Sequence, residues 1–261
     1  MNKNQDGTVI APVRINVLSL AELRRRVESI KCARSFDSGM AMPIGIKKID
    51  DRLPGGGLSF GCLHEFIDKG FDAGTGFCTA LLGKLLAYRD GFVLWCLSLS
   101  SIHEFGGLYA PGLMAGGLDP QRLIVLRAAR EKDVLWAMEE GLRCNCLAAV
   151  LGEVRRIDLK SSRRLQLAAK ASGTSAFLLR NLIAEGDSYS AASTTRWRLT
   201  TAPVSASTKQ LLPLRERWRV ELLRCRGGLP GGEWILEWNY EAGDFHLVTD
   251  FCDRSIMSTK G

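Results

Sequence analysis

What this sequence lacks narrows its class first. No uninterrupted apolar run reaches the ~20 residues that a membrane-crossing helix needs, so no membrane role is expected. No apolar stretch backs the polar opening Met1 to Asp6, as a secretion signal would require, and a cytoplasmic location is expected. Collagen-like and coiled-coil repetition are missing too. Among eight cysteines there is no Cys-x-x-Cys pair, and Cys144 and Cys146 have a single residue between them and no neighbouring histidine. A zinc site draws four convergent ligands, usually from short-spaced pairs, so no metal is expected. Several cysteines sit inside apolar runs (93–97 and 145–150). There a reduced thiol packs as a small hydrophobe.

What is present is ordinary for a globular chain. Of 261 residues, 46% are hydrophobic and 24% charged, which excludes disorder over most of the length. Thirty-five Lys and Arg against 28 Asp and Glu give a formal charge of +7. That balance permits contact with nucleic acid or another polyanion without establishing it.

Alternating patterns set the order of elements. Ser19 to Ile30 reads as a helix with Ser19 as its cap and Glu22 completing a capping box. Pro54 and the glycines 55–57 are turn material. Cys62 to Ile67 reads as a strand, residues 68–76 as a glycine-rich loop, and Phe77 to Tyr88 as a helix. Phe92 to Leu99, Arg122 to Leu126, Ala148 to Val154 and Ser175 to Leu179 read as buried strands. Glu131 to Arg143 and Lys160 to Ala171 read as helices, and Tyr109 to Asp119 as a loop or short helix. Strands alternating with helices predict a parallel sheet covered on both faces. Glu185 to Thr195 and Thr200 to Thr208 read as loops. Trp218 to Arg224, Trp234 to Trp238 and Phe245 to Val248 then alternate with period two between turn residues, a β-meander.

Strand, glycine-rich loop and helix in succession form the context of a phosphate-binding loop, whose helix offers unpaired amides to an anion. A working loop reads GxxxxGK[ST]: its Lys neutralises phosphate and its hydroxyl holds Mg²⁺. Here Gly76 is followed by Phe77, Cys78 and Thr79, so Phe77 stands in the lysine position and Cys78 in the hydroxyl position. A phenyl ring carries no charge, and a thiol is a poor ligand for Mg²⁺. The first glycine of the pattern should be residue 71, which is Phe71, with Gly70 one place early. Lys69 can approach from the strand side, whereas Lys84 lies too far down the helix. The vestigial loop thus comprises Lys69, Gly70, Gly74, Gly76, Phe77, Cys78 and Thr79, with no cofactor expected. Glu153, ending a buried strand, is roughly where such enzymes hold Mg²⁺ through water, a place that an ordinary surface acid also fits. His64 and Glu65 form an acid/base pair by type alone, and strand alternation puts them on opposite faces.

Several segments together resemble the ImuA family: Gly45 to Leu58 (GIKKIDDRLPGGGL) with Gly61 to Phe66, the altered loop 74–77, Leu108 to Leu113, and Gly117 to Val125. Asp133 to Arg143, Leu223 to Gly228 and Trp234 to Trp238 extend the likeness, which runs from about Ser19 to Trp238. The resemblance implies a RecA-like core and a part in SOS mutagenesis and translesion DNA synthesis. It also implies partners: an ImuB-type Y-family-like polymerase homologue, an error-prone replicative-type polymerase subunit, and RecA itself. The lysine of RecA is missing, so ATP-driven filament formation does not carry over. An older description of the family likens it to the cell-division inhibitor SulA.

Two Arg-Trp-Arg triplets, at 196–198 and 217–219, offer aromatics between cations, a pattern that stacks single-stranded bases. Strand alternation instead turns Trp218, Val220 and Leu222 inward and leaves Arg217, Arg219 and Glu221 outside. The tryptophans are read as core, and Arg215, Arg217, Arg219, Arg224 and Arg226 as a surface for an anionic partner. A second basic run, Arg155, Arg156, Lys160, Arg163 and Arg164, follows the third strand. In a RecA-like fold that side faces DNA, which makes this run the stronger candidate for single-stranded DNA.

The expected architecture is α/β, a RecA-like mostly parallel sheet flanked by helices, with a C-terminal antiparallel β-meander. Residues 1–18 are expected to be a flexible segment, 19–249 one domain (19–34 helix, 45–181 α/β core, 196–249 strands), and 250–261 a flexible tail. The expected function is that of a non-catalytic accessory protein of translesion synthesis. A DNA-dependent ATPase of the recombinase family, using Lys69 or an unconventional loop, and a SulA-like inhibitor of division through tubulin-like FtsZ remain as alternatives.

Overall fold

The computed structural model describes residues 16–18, 40–70, 73–181, 192–203 and 216–248. The helix expected at 19–34, Arg215 and the tail 250–261 lie outside the described residues. In chain order the strands are β1 Asn16–Leu18, β2 Ala41–Met42, β3 Leu58–Ser59, β4 Leu63–Asp68, β5 Phe92–Ser98 and β6 Leu123–Ala128. They continue as β7 Leu147–Val154, β8 Ser175–Asn181, β9 Thr195–Thr201, β10 Arg217–Cys225, β11 Glu233–Asn239 and β12 Asp244–Leu247. The helices are α1 Lys47–Asp50, α2 Gly74–Tyr88, α3 Leu99–Phe105, α4 Ala110–Ala115, α5 Glu131–Leu142 and α6 Leu159–Ser172.

Ten strands form one sheet in the order β1-β6-β5-β7-β8-β4-β9-β10-β11-β12. Pairing is parallel from β1 through β9 and antiparallel from β9 through β12. Every residue of β7 and β8 is buried, which is why those segments read as continuous apolar runs rather than as alternations. Alternate residues of β5, β6, β7 and β8 feed two cores, and β9 to β12 feed the first of them. On one face Trp95, Leu151 and Phe177 pack with Phe77, Leu81 and Leu85 of α2. On the other, Leu94, Val150 and Leu178 pack with Val134, Met138 and Leu142 of α5 and Leu165 of α6.

The sheet is larger than the sequence predicts. Asn16–Leu18, inside the segment expected to be flexible, pair in parallel with β6. Residues 195–201, whose two ends fall in expected loops and whose middle opens the expected C-terminal strands, form β9, which lies parallel to β4 and antiparallel to β10. A strand of threonine and arginine betrays no apolar run, and neighbours on both sides hold it in place. The meander itself is as expected, and β10 alternates half-buried Arg217, Arg219 and Glu221 with buried Trp218, Val220 and Leu222.

The centre of the sheet carries polar groups on both pleats. Glu65 is fully buried and accepts from Arg180 Nη1 (2.9 Å), Arg196 Nε (2.7 Å) and Ser193 Oγ (3.1 Å). His64 faces the other way, with Nε2 2.9 Å from the Ser59 carbonyl and Nδ1 2.8 Å from Thr195 Oγ1. A carbonyl only accepts, so Nε2 carries the proton and Nδ1 accepts from the threonine hydroxyl. Burial pushes the imidazole pKa down to about 4, keeping the ring neutral. Both residues serve the fold, and they do not face each other. Removing one member of a buried ion pair strands its partner. Arg180→Met is therefore expected to lower the unfolding free energy by about 3–5 kcal/mol in urea titrations; a wild-type midpoint would show the pair to be dispensable.

Candidate functional site

The loop between β4 and α2 is the place to look for phosphate chemistry. Helix α2 begins at Gly74, three residues ahead of the expected Phe77. Gly74 and Gly76 therefore lie in its first turn and not in the loop. The reason is contact: a Cβ on Gly74 would come 2.5 Å from Leu179 Cδ1, and one on Gly76 would collide with the Glu216 carboxylate. These glycines admit neighbouring protein atoms, the same close approach that a phosphate would otherwise require.

An acid of the chain itself already holds the amides. Asp68, the last residue of β4, is 1% exposed. Its Oδ1 accepts from Gly70 N–H at 3.0 Å, and its Oδ2 accepts from Gly74 N–H at 2.7 Å and Ala73 N–H at 3.2 Å. The open end of a helix presents unpaired amides and a positive dipole end, and a carboxylate satisfies both. Sequence reasoning missed Asp68, although an acid immediately ahead of a glycine-rich loop was a legible sign of an Asx turn.

The expected loop residues are divided between the exposed end of the loop and the largely buried first turns of α2. Phe77 is buried in an aromatic cluster, its ring centroid 5.3 Å from Phe245, 5.6 Å from Trp218 and 6.0 Å from Phe66. Burial, with Glu153 and Asp68 nearby, holds the Cys78 thiol well above the ordinary cysteine range. Thr79 donates its hydroxyl to the Thr75 carbonyl at 2.7 Å, within its own helix. Lys69 and Gly70 are exposed, and Lys84 is tied to Asp244 of β12. Phe71 lies outside the described residues.

Glu153 is buried at the end of β7, accepting from Trp95 Nε1 at 2.8 Å and from Ser101 Oγ at 3.4 Å. Burial raises its pKa to about 7, and the nearby Asp68 charge adds to the effect. The cavity beside it, lined by Ser101, Phe105, Glu131 and Asn181 among others, holds about 10 Å³. That is room for roughly one water, against the ~300–1,000 Å³ of a small-molecule site. Arg155 also lines this cavity, alongside the acids Glu131 and Glu153.

The two basic runs fare differently. On the meander, Arg217 pairs with Glu237 at 2.6 Å and Arg219 with Glu233, and on β9 Arg198 pairs with Glu221, so cross-strand acids neutralise these three cations. Arg224 is half-buried and Arg226 exposed. Trp197 and Trp218 are 1% and 2% exposed, which removes them as stacking platforms. In the other run Arg155 pairs with Glu104 and Arg164 with Glu139, while Arg156, Lys160 and Arg163 are exposed. Along α6 the exposed residues Lys160, Arg163, Arg164, Leu167 and Lys170 recur at helical spacing and make one basic face around a leucine. No helix among the described residues is long and apolar enough to cross a membrane.

A pH titration tests the environment of Glu153. A carboxyl raised from 4.5 to about 7 stabilises the fold most below pH 4.5 and loses that contribution as pH rises through 7, a difference of about 3 kcal/mol. His64, depressed to about 4, slopes the opposite way in both proteins. Against wild type, Glu153→Gln should therefore gain stability progressively from pH 4.5 to 7 and hold the gain at pH 8. Parallel curves for the two proteins would refute the buried-acid assignment.

No family model matches the chain. Among curated proteins, Protein ImuA of Caulobacter vibrioides, in each of two strains, is 34% identical over 235 residues, covering 84% of this chain and 93% of the relative. The aligned region takes in β4, the Asp68 loop, α2 and most of the sheet that positions them, and on that likeness the chain belongs to the ImuA family.

Proposed function

We propose that this protein is a non-catalytic, RecA-like accessory factor of induced mutagenesis, supporting error-prone translesion DNA synthesis through protein contacts and not through nucleotide hydrolysis. One observation carries the reading: the amides that would cradle a phosphate are taken by Asp68 of the same chain. Phe77, packed into the sheet-side aromatic cluster, supports it by occupying the lysine position with an uncharged ring. The family's name supports a place in the ImuA/ImuB mutagenesis system. An ImuB-type polymerase homologue and an error-prone polymerase subunit are the proposed partners, with RecA and single-stranded DNA as further ones. The face of α6 bearing Lys160, Arg163 and Lys170 is the proposed contact, since Arg217 and Arg219 of the meander are paired with Glu237 and Glu233.

ATP turnover, measured with and without single-stranded DNA, should stay at background. Turnover that stops when the 68–79 loop is altered would instead establish a DNA-dependent ATPase. The internal anion has its own test. Asp68→Gly should cost about 1–3 kcal/mol through its orphaned amides, and inorganic phosphate should raise the melting temperature of this variant but not of wild type. A pull-down from DNA-damaged cells should recover polymerase subunits, and Lys160→Glu with Arg163→Glu should weaken that recovery. Full recovery with the charges reversed would remove α6 from the contact.

A further inference from the structure

Two thiols meet at the end of the sheet opposite the Asp68 loop. Cys144 follows the last turn of α5, and Cys146 directly precedes β7. Their sulfurs are 2.9 Å apart, and both residues are buried, at 4% and 6% exposure. Closing that separation to a disulfide bond requires less than about 1 Å of sulfur movement. The backbone around the pair is held on both sides. Cys144 N–H donates to the Gly141 carbonyl at 2.9 Å, Leu147 N–H to the Cys144 carbonyl at 3.3 Å, and Phe92 N–H to the Cys146 carbonyl at 3.1 Å. Between the two thiols Asn145 is exposed, so the turn that carries the pair runs along the surface.

The two sulfurs are chemically unequal. The hydrogen bond shared with Cys146 draws the Cys144 thiol below the ordinary cysteine range, which favours its thiolate. Burial drives the Cys78 and Cys96 thiols the other way, leaving them inert. Two thiols also fall short of the four ligands of structural zinc, and no group of three or more His, Cys, Asp or Glu among the described residues is arranged to hold a metal.

We propose that Cys144 and Cys146 are a peroxide-oxidisable dithiol that closes reversibly to an internal disulfide at the α5–β7 turn. The Cys144 thiolate attacks one peroxide oxygen and the O–O bond breaks. Hydroxide leaves and takes a proton from solvent, and Cys144 becomes a sulfenic acid. The Cys146 sulfur then attacks the Cys144 sulfur, its proton departs with the sulfenic hydroxyl as water, and the S–S bond forms. A low-molecular-weight dithiol returns two electrons by thiol exchange and is itself oxidised to a cyclic disulfide.

The test uses the full chain, hydrogen peroxide, alkylation of the remaining thiols and trypsin. Cleavage after Arg143 and Arg155 leaves both cysteines, and no others, in the fragment 144–155. The fragment should lose two hydrogens and resist alkylation, and dithiothreitol should restore it. Its oxidation should run about tenfold faster than that of Cys62, the half-buried comparison thiol. Urea should abolish the advantage. Cys146→Ser should halt at a Cys144 sulfenic acid captured by dimedone, and Cys144→Ser should not react. A fragment still doubly alkylated once Cys62 has reacted would overturn the proposal. Coupling to other fragments, added oxygen without ring closure, or an equal advantage in urea would do the same, and none of these readouts on the wild-type chain depends on the variants folding.

Discussion

A single carboxylate fastens the middle of this fold. Asp68 ends β4, which lies between β8 and β9 in the sheet, and its two oxygens accept from Gly70, Ala73 and Gly74 at the start of α2. A buried acid is costly without donors, and an open helix end is costly without an acceptor, so each relieves the other. With the helix fastened there, Gly74 can slide against Leu179, Gly76 against Glu216, and Phe77 into the aromatic group beneath the meander. The amides of Gly70, Ala73 and Gly74 thus have their acceptor within the chain.

The same economy of charge extends across the sheet. Glu65 is held by Arg180 and Arg196, and the outward arginines of β9 and β10 find acids on the strands beside them. Net positive charge therefore overstates what the meander can offer to nucleic acid, because local pairing and not the total decides the field at a surface. On α6 the cations share one exposed face with Leu167, a combination suited to a protein partner with an acidic and partly apolar surface.

Much of this was legible in advance. Phe92–Ser98, Leu147–Val154 and Ser175–Asn181 are apolar enough to be strands with both faces covered, and period-two alternation marked the meander and the inward turn of Trp218. The burial of Phe77 was legible as well, since a phenyl ring at the start of an apolar helix packs into the core. Less legible were β9, whose threonines and arginines look like loop, and the exact start of α2, where glycines read as breakers. In both cases contacts from distant parts of the chain override local preference.

The sequence by itself determined the alternation of strands and helices and the meander, because those depend on periodicity and residue type within a short window. Only the tertiary structure decided where the loop amides and the arginines direct their hydrogen bonds. Arg180 and Glu65 are 115 positions apart, and Arg196 and Glu65 are 131 apart. Pairings over such distances exist only once parallel crossovers have set β4 between β8 and β9, and no local pattern encodes which acid a given cation will meet.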